Sequence, residues 1–201
     1  MNILAVDATA ENLVVALSKN NEIISRTTYD GAKRHNSQIL ILVEEVLNEA
    51  ALSIGDVDYF AAVVGPGSFT GIRIGVSSVN ALAFACGRET VAINSLEELA
   101  YPYHEKEFVT AIDCRHECYY YARFKDCFEN MTELGEMTSR ELNDQNCLVI
   151  KKTLPSSPDN LIGVAKTKIA KGEFSALAPL YLKKSQAERE MEAKNMDKTV
   201  E

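Results

Sequence analysis

A glycine-rich segment between an apolar strand and an apolar helix constrains this sequence more than any other feature. Residues 57–64 are rich in β-branched and aromatic side chains, which predicts a strand buried on both faces. Residues 72–86 are long and apolar enough to form a helix. The glycines between them let the backbone take positive φ and approach another group closely. The residues that we expect to matter in this turn are Gly65, Gly67, Ser68, Thr70 and Arg73.

The spacing of these glycines excludes two common phosphate-binding turns. A P-loop has Lys and then Ser or Thr after its last glycine, whereas Gly71 is followed by Ile72 and Arg73. A dinucleotide turn has the pattern G-x-G-x-x-G, and this segment has G-x-G-x-x-x-G. Two interpretations stay open: the helix N-terminus binds an anion, or the glycines serve packing alone. Arg73 either contacts a carboxylate or phosphate through two nitrogens or forms a surface ion pair.

Two predicted helices carry more small or apolar residues than one buried face requires. Glycine inside a helix costs up to about 1 kcal/mol relative to alanine, so the small stripe of the helix at 72–86 packs against another helix or against its own sheet. The helix at 38–50, capped by Asn36 and Ser37, has an apolar set wider than one sheet covers. We therefore predict a partner interface, formed by Ser37, Leu40, Ile41, Leu47, Gly71, Gly75, Ser78 and Leu82.

Composition narrows the classes of function. The chain has 201 residues, a formal charge of −8 and a pI near 5.0, which disfavours sequence-independent binding of nucleic acid. The sequence suggests neither a signal peptide nor a segment of membrane-spanning length, so we expect a cytoplasmic protein. Five cysteines without paired C-x-x-C spacing predict reduced thiols rather than disulfides or a zinc site.

The predicted elements form two lobes and a tail, at residues 1–103, 104–182 and 183–201. Strands at 3–8, 13–17 and 23–29 open the first lobe as an antiparallel meander. Residues 90–94 predict a further strand, and residues 95–101 predict a short helix capped by Ser95.

The second lobe begins with an echo of the first. Residues 109–122 align without gaps on residues 3–16, with identities at Ala5/Ala111, Asp7/Asp113, Glu11/Glu117 and Ala16/Ala122. Each lobe is therefore predicted to open on a hairpin with an Asp at the end of its first strand.

Beyond residue 128 the pattern weakens. We predict a helix starting at 139–142, a short strand at 147–150, a loop at 154–160 and a helical or unstructured charged tail.

Two lobes that each open on an Asp-ended hairpin resemble the actin, Hsp70 and sugar-kinase superfamily. GPGSFTGIRIG, together with Asp7-Ala-Thr, Asp113-Cys-Arg and PLYLKKSQAE at residues 179–188, resembles the TsaB (YeaZ) family more specifically. The resemblance covers residues 1–188 but leaves 129–175 almost unmatched. In the second hairpin, Arg115 and Glu117 lie one position closer together than the family pattern has them.

The resemblance implies an α/β fold of two actin-like, RNase H-like lobes with mixed sheets flanked by helices. It implies a non-catalytic dimerisation subunit that binds and stabilises TsaD in the complex adding threonylcarbamoyl to tRNA adenosine beside the anticodon. The helices that TsaB uses for this correspond to residues 37–50 and 71–86. TsaE, an ATPase, joins the complex, and the isolated subunit is expected to form a homodimer. It implies no metal and no cofactor of its own, with ATP or ADP held within the complex, and contact with tRNA only through that complex.

Two enzymatic alternatives come from the same superfamily. In an ATP-dependent small-molecule kinase, the degenerate phosphate hairpins with Asp7, Thr9, Asp113 and Arg115 would hold a metal-nucleotide; otherwise these aspartates only stabilise their hairpins. The first hairpin lacks the glycine that lets phosphate approach. A glycoprotease-like metallopeptidase is disfavoured, because none of the three histidines forms an H-x-x-x-H pair.

Overall fold

The computed structural model describes residues 1–28 and 35–183, apart from the side chains of residues 35 and 36. The first half of the chain forms a five-stranded mixed sheet in the order β3-β2-β1-β4-β5. Its elements are β1 (Ile3–Asp7), β2 (Val14–Lys19), β3 (Glu22–Thr27), α1 (His35–Glu49), β4 (Tyr59–Gly65), α2 (Phe69–Cys86) and β5 (Glu89–Asn94).

A second, four-stranded sheet follows in the order β8-β7-β6-β9. Its elements and the connecting helices are α3 (Ser95–Ala100), β6 (Phe108–Asp113), β7 (Cys118–Lys125), β8 (Cys127–Thr138), α4 (Ser139–Asn143), β9 (Leu148–Lys151) and α5 (Pro158–Ala170). The two-sheet α/β architecture with flanking helices is the predicted one.

The helices divide between the two faces of the first sheet. α1 and α2 cover one face and share its core with Leu4, Val15 and Phe60. α3 and α5 lie on the other face, between the two sheets, where Leu96 and Leu161 pack with Ala5 of the first sheet and Phe108 of the second. One apolar core therefore runs from sheet to sheet. The predicted boundary between lobes at residue 103 stays a prediction.

The internal echo is present in the strand pairing. β1 pairs with β2 antiparallel and with β4 parallel, and β6 pairs in the same way with β7 and β9. The second hairpin is one residue shorter, because Asp7 pairs with Val14 whereas Asp113 pairs with Tyr119. The gapless alignment is consequently wrong beyond the turn: Ala16 lies opposite Ala5, but Ala122 lies opposite Thr110 rather than Ala111.

Three helices begin elsewhere than predicted. α2 starts at Phe69, with Ser68 as its N-cap, so Gly71 belongs to the first helical turn rather than to the loop. α1 starts at His35, which places Ser37 inside the helix. The cap of α3 is Asn94, whose side chain accepts a hydrogen bond from the backbone N–H of Leu96, and Ser95 is the first helical residue.

The weakly patterned region contains two elements that sequence analysis missed or shortened. α5 begins at Pro158 after the N-cap Ser157, so it replaces the last three residues of the predicted loop and continues to Ala170. β8 extends to Thr138 and pairs along the length of β7. The short helix and strand predicted near residues 139 and 147 are confirmed as α4 and β9. Residues 184–201 of the predicted charged tail lie outside the described residues.

Two expectations drawn from composition need correction. Cys114 and Cys118 form a disulfide, because a tight turn brings their Cα atoms to 5.3 Å, whereas Cys86, Cys127 and Cys147 are free thiols. Among the helices within the described ranges, α2 is long and apolar enough by length and composition alone to cross a membrane. Ile72, Val76, Val79 and Ala83 of this helix are buried in the core on one face of the first sheet.

Candidate functional site

The first hairpin ends in a buried aspartate that holds its own turn. Asp7 is 1% exposed, and its Oδ1 accepts hydrogen bonds from the backbone N–H of Thr9 (2.8 Å) and from the Thr9 hydroxyl (2.6 Å). This is the side-chain turn by which aspartate stabilises a tight bend. These contacts fit the alternative in which Asp7 stabilises its own hairpin.

The other carboxylate oxygen of Asp7 belongs to a buried group of side chains between the two sheets, which we call the interlobe ion cluster: Asp7, Glu98, Lys152 and Ser156. Lys152 Nζ lies 3.4 Å from Asp7 Oδ2 and 3.5 Å from Glu98 Oε2. The ammonium donates to Ser156 Oγ at 2.7 Å, and the Ser156 hydroxyl donates to Asp7 Oδ2 at 2.5 Å. Glu98 also accepts a hydrogen bond from the backbone N–H of Ser157. All four side chains have partners.

Burial and charge shift the pKa values within this cluster in different directions. Burial raises the pKa of the Asp7 carboxyl, but the Lys152 charge and the Ser156 and Thr9 hydrogen bonds bring it below its ordinary value. Burial also raises the pKa of Glu98, and neighbouring Lys152 does not fully offset this, so it stays above the ordinary value. Burial lowers the pKa of Lys152, whereas Asp7 and Glu98 raise it, and the net pKa is raised. Of the two carboxyl groups beside Lys152, Glu98 therefore has the pKa shifted upward and Asp7 the pKa shifted downward.

The glycine-rich turn packs against backbone carbonyl groups of the same chain. A Cβ added to Gly67 would lie 2.6 Å from Thr9 O, and one added to Gly65, whose φ is +118°, would lie 2.6 Å from Leu180 O. A Cβ on Gly71 would collide with Ala8 O. Because these oxygens carry partial negative charge, the turn is a poor place for an anion. The packing interpretation of the glycines is supported, and the anion-binding interpretation is not.

The turn and the C-terminal motif, noted separately in the sequence, meet in the structure. Leu180 donates its backbone N–H to Val64 O at 2.8 Å. The Tyr181 ring stacks on Phe69, and its hydroxyl oxygen accepts a hydrogen bond from Arg73 Nε at 2.9 Å. The Arg73 guanidinium lies 4.0 Å from the Phe69 ring centroid. Neither predicted role of Arg73 is seen among the described residues, because its partners are aromatic rings rather than carboxylates.

The second hairpin differs from the first in exposure. Asp113 is exposed, and its Oδ1 accepts a hydrogen bond from the backbone N–H of Arg115 at 2.6 Å. Arg115, His116 and Glu117 all have positive φ, between 56° and 66°, in the shortened turn that the disulfide closes. Asp113 and Arg115 do not join the interlobe ion cluster. The structure therefore does not bring the two predicted phosphate hairpins together as one site.

The predicted partner surface is partly exposed and partly buried. Leu40 and Ile41 of α1 are 56% and 54% exposed, and Ser37 is also exposed. On α2, Ser78 and Leu82 are half-buried, and Phe84, which sequence analysis did not select, is 90% exposed. We call the solvent-accessible sides of α1 and α2, which carry Leu40, Ile41, Ser78, Leu82 and Phe84, the outer helix face.

Three of the predicted interface residues are wrong. Leu47 is 6% exposed because it lies one helical turn beyond Val43, on the side of α1 that packs on the sheet. Gly71 and Gly75 are buried because they press against the first hairpin, where a Cβ on Gly75 would already touch the Ala8 side chain at 3.4 Å. The small stripe of α2 is thus explained by packing within the chain.

Sequence analysis gave no indication of the interlobe ion cluster beyond Asp7. Lys152 and Ser156 come from the weakly patterned region, and Glu98 resembles any exposed residue of a short helix. Within residues 1–28 and 35–183, no group of three or more His, Cys, Asp or Glu side chains is placed to hold a metal ion. The expectations about metal and cofactor stay predictions.

The fold and this site define an actin-like α/β protein of two lobes, with the space between them filled by its own side chains. A family model described as TsaD: tRNA N6-adenosine threonylcarbamoyltransferase matches residues 20–161. A solved structure, YeaZ from Pseudomonas aeruginosa, superposes with a TM-score of 0.77 at 25% identity, covering 90% of this chain and 99% of that one. The chain therefore belongs to the family that this model describes. Within it, the chain is similar to the TsaB (YeaZ) proteins.

Several curated relatives carry the name tRNA threonylcarbamoyladenosine biosynthesis protein TsaB. The protein from Haemophilus influenzae is 34% identical over 125 residues, which are 57% of this chain and 50% of that protein. The protein from Escherichia coli is 30% identical over 149 residues, which are 72% of this chain and 64% of that protein. In sequence, the match therefore spans half to two-thirds of the length of these two relatives.

Proposed function

We propose that this chain is a non-catalytic scaffold subunit in the biosynthesis of threonylcarbamoyladenosine in tRNA, and that it binds and stabilises the transferase subunit TsaD. The observation that carries this proposal is the outer helix face, where the neighbouring helices α1 and α2 expose large apolar side chains, Leu40 and Ile41 on the first and Phe84 on the second. Contact with tRNA would then occur only through the partner, in keeping with the charge of −8.

The exposed side chains have the chemistry of an interface centre. Phe84 at 90% exposure leaves almost its whole ring in water, and Leu40 and Ile41 lie on the neighbouring helix. Burying one exposed Leu, Ile or Phe side chain in an interface contributes about 1.5–3 kcal/mol to the binding free energy. A two-helix contact reaches the standard size of about 1,600 Å² in total. Large apolar anchors at the centre of such a contact contribute most of the affinity.

A related chain is the natural partner for such a face. The family model that matches this chain is described as the transferase TsaD itself, so both chains are expected to present equivalent helices. Two similar helix pairs can pack about a local two-fold axis, as in a homodimer. We propose that the isolated chain forms a homodimer through the outer helix face, and that TsaD replaces the second copy when it binds. TsaE, and ATP or ADP within the complex, are further expected components.

The proposal of a non-catalytic role is supported by the side chains and carbonyl groups of this chain that occupy the region where kinases of the superfamily bind phosphate. The carboxylate of Asp7 is paired with Lys152 and Ser156, and the glycines of the first lobe face carbonyl oxygens. A kinase of the same superfamily would need these positions for phosphate. We propose a cytoplasmic location because the modification of tRNA takes place there.

The test is size-exclusion chromatography with light scattering, on the chain alone and mixed with TsaD from the same genome. The chain has a mass of 22.2 kDa, so a monomer, homodimer and heterodimer are resolved by mass. We expect a one-to-one complex whose tRNA-modifying activity requires this chain. Phe84→Glu should weaken that complex at least about 30-fold, as for a hot-spot residue.

Leu154→Glu supplies the control, because Leu154 is 76% exposed and follows β9 of the second sheet rather than belonging to α1 or α2. It should leave the complex unchanged. Absence of any complex with folded TsaD, with and without ATP, would overturn the proposed partner. Phosphorylation of a small molecule by the chain alone would favour the kinase instead.

A further inference from the structure

We propose that the interlobe ion cluster is a built-in lock, in which the Lys152 ammonium acts as an internal ligand that holds the two lobes in one orientation. This inference concerns the isolated chain and does not depend on the proposed partner.

The four members of the cluster come from four parts of the fold. Asp7 ends β1 of the first sheet, and Lys152 follows β9 of the second sheet. The hydrogen bond between them joins residues 145 positions apart in sequence. Glu98 belongs to α3 and Ser156 precedes α5, the two helices that lie between the sheets. Opening the lobes would separate all of these polar contacts together with the apolar core between the sheets.

The backbone supports the same connection. The N–H of Lys152 donates to Ala111 O of β6 at 2.9 Å, which fixes the lysine to the second sheet. Glu98 accepts from the Ser157 backbone N–H at 2.9 Å and from the Asn160 side chain at 3.4 Å, which fixes α3 to the start of α5. Asp7 is the member of the cluster that belongs to β1, so Asp7 and Lys152 are the pair that joins the two sheets.

The charges explain why a lysine lies here. Two carboxylates and one hydroxyl oxygen surround Lys152 Nζ within 3.5 Å, all in buried positions. This is a cation site of the size of an ammonium group, and the chain fills it with its own side chain. Truncating the lysine leaves the carboxylates without their cation and a channel as long as the lost side chain. A small alkylammonium ion has the charge and the shape to replace it.

The experiment compares Lys152→Ala with Lys151→Ala in the full chain. Lys151 is the exposed neighbouring lysine, whose Nζ lies 5.0 Å from the centroid of the Tyr119 ring. Losing the buried charge should lower Tm by about 6–20 °C, whereas the exposed control should change it by no more than about 2 °C. Adding n-propylammonium chloride should restore part of the loss in Lys152→Ala and nothing in the control. Tetramethylammonium chloride, which cannot donate hydrogen bonds, should not restore it.

Hydrogen exchange locates the effect. In Lys152→Ala the amides of residues 152–160 and of the first hairpin turn should exchange faster, while those in β2 and β3 keep their rates. A Tm within 2 °C of the wild-type chain, or equal recovery with both ammonium ions, would overturn the lock.

A double-mutant cycle covers the case in which Lys152→Ala does not fold. Asp7→Asn, Lys152→Met and the combined variant are compared by Tm. Coupling predicts that the combined variant loses less than the sum of the two single losses, or folds where one single variant does not. Additive losses would contradict the proposal.

Discussion

The two hairpins that open the two sheets share a design and differ in surroundings. Each ends its first strand in an aspartate whose carboxylate accepts the N–H two residues on. Asp7 is buried beside Lys152, whereas Asp113 is exposed. Glycines of α2 pack closely against the first turn. The second turn is one residue shorter and has three consecutive residues with positive φ.

This difference shows that the same local turn can have different roles in the two sheets, depending on the elements that surround it. The side-chain turn at aspartate stabilises a bend wherever it occurs. Only in the first lobe do the neighbouring elements bury that aspartate and give it a cation. Repetition of the motif in sequence therefore predicts repetition of the turn, but not of the site.

The two hairpins should differ most in the loss of unfolding free energy when each aspartate is replaced by asparagine. Asparagine keeps the turn hydrogen bond and removes the charge. Asp7→Asn weakens the buried pair with Lys152 and should cost about 3–5 kcal/mol, towards the lower end because Glu98 remains. Asp113→Asn should cost under about 0.5 kcal/mol. Urea denaturation of both variants measures this, and equal losses would contradict the distinction between the hairpins.

Packing of α2 on the first hairpin should give the next largest effect. Gly71→Ala places a Cβ against the Ala8 carbonyl oxygen, which cannot move without shifting the hairpin, so we expect a loss of about 3 kcal/mol. Gly135→Ala in the second lobe places a Cβ 3.4 Å from the Tyr121 ring, which is near ordinary contact, and should cost under about 1 kcal/mol. Thermal unfolding of the two variants is the measurement. Tolerance of alanine at Gly71 would show that the hairpin is not tightly held.

The parts of the fold predicted from sequence are those that local pattern determines. The strand, turn and helix around Gly67, the strand β5 and the short helix α4 all follow from runs of residues within a few positions. α5 was missed because Pro158 suggested a loop, although Ser157 before it is an N-cap signal and Leu161, Ile162 and Ala165 have helical spacing.

The site was less predictable because its contacts are distant in sequence. No local feature connects Lys152 with a residue 145 positions earlier, and burial of Glu98 depends on α5, which was not predicted. The sequence analysis named Asp7 and Thr9 but not Lys152 or Ser156. The outer helix face shows the same limit: α1 gave Leu40 and Ile41, but burial of Leu47 and exposure of Phe84 depend on how the helices lie on the sheet.

The carboxyl groups around Lys152 should also make the folding stability of the chain depend on pH. Glu98 has a raised pKa in the folded chain, because it is buried and near Asp7. The folded state therefore holds this proton more tightly than the unfolded state, and stability falls as pH rises from about 4.5 through the raised pKa. Glu98→Gln lacks this fall, so its stability relative to the wild-type chain should rise with pH by about 1.4 kcal/mol for each unit of the shift.

The opposite sign applies to Asp7, whose pKa is lowered chiefly by Lys152 against the effect of burial. Its contribution is present above pH 3.8 and is lost as pH falls below that value. Unfolding curves in guanidinium at several pH values separate the two windows. Parallel profiles for the wild-type chain and Glu98→Gln would contradict the assignment of the extra proton to Glu98.

The smallest expected effect tests the turns themselves, and it has opposite signs in the two hairpins. His116 is exposed with φ of 56°, a conformation that glycine adopts without steric cost, so His116→Gly should stabilise the chain by about 0.5–1 kcal/mol. Ala10, in the first turn, has no positive φ, so Ala10→Gly should destabilise by about 0.5–1 kcal/mol through the added freedom of the unfolded chain. Chemical denaturation with both variants measured side by side resolves changes of this size. Because the disulfide between Cys114 and Cys118 closes the same turn, the His116 measurement is made with the cysteines oxidised in every sample. The same sign in both hairpins would mean that the left-handed turn is not a source of strain in the second lobe.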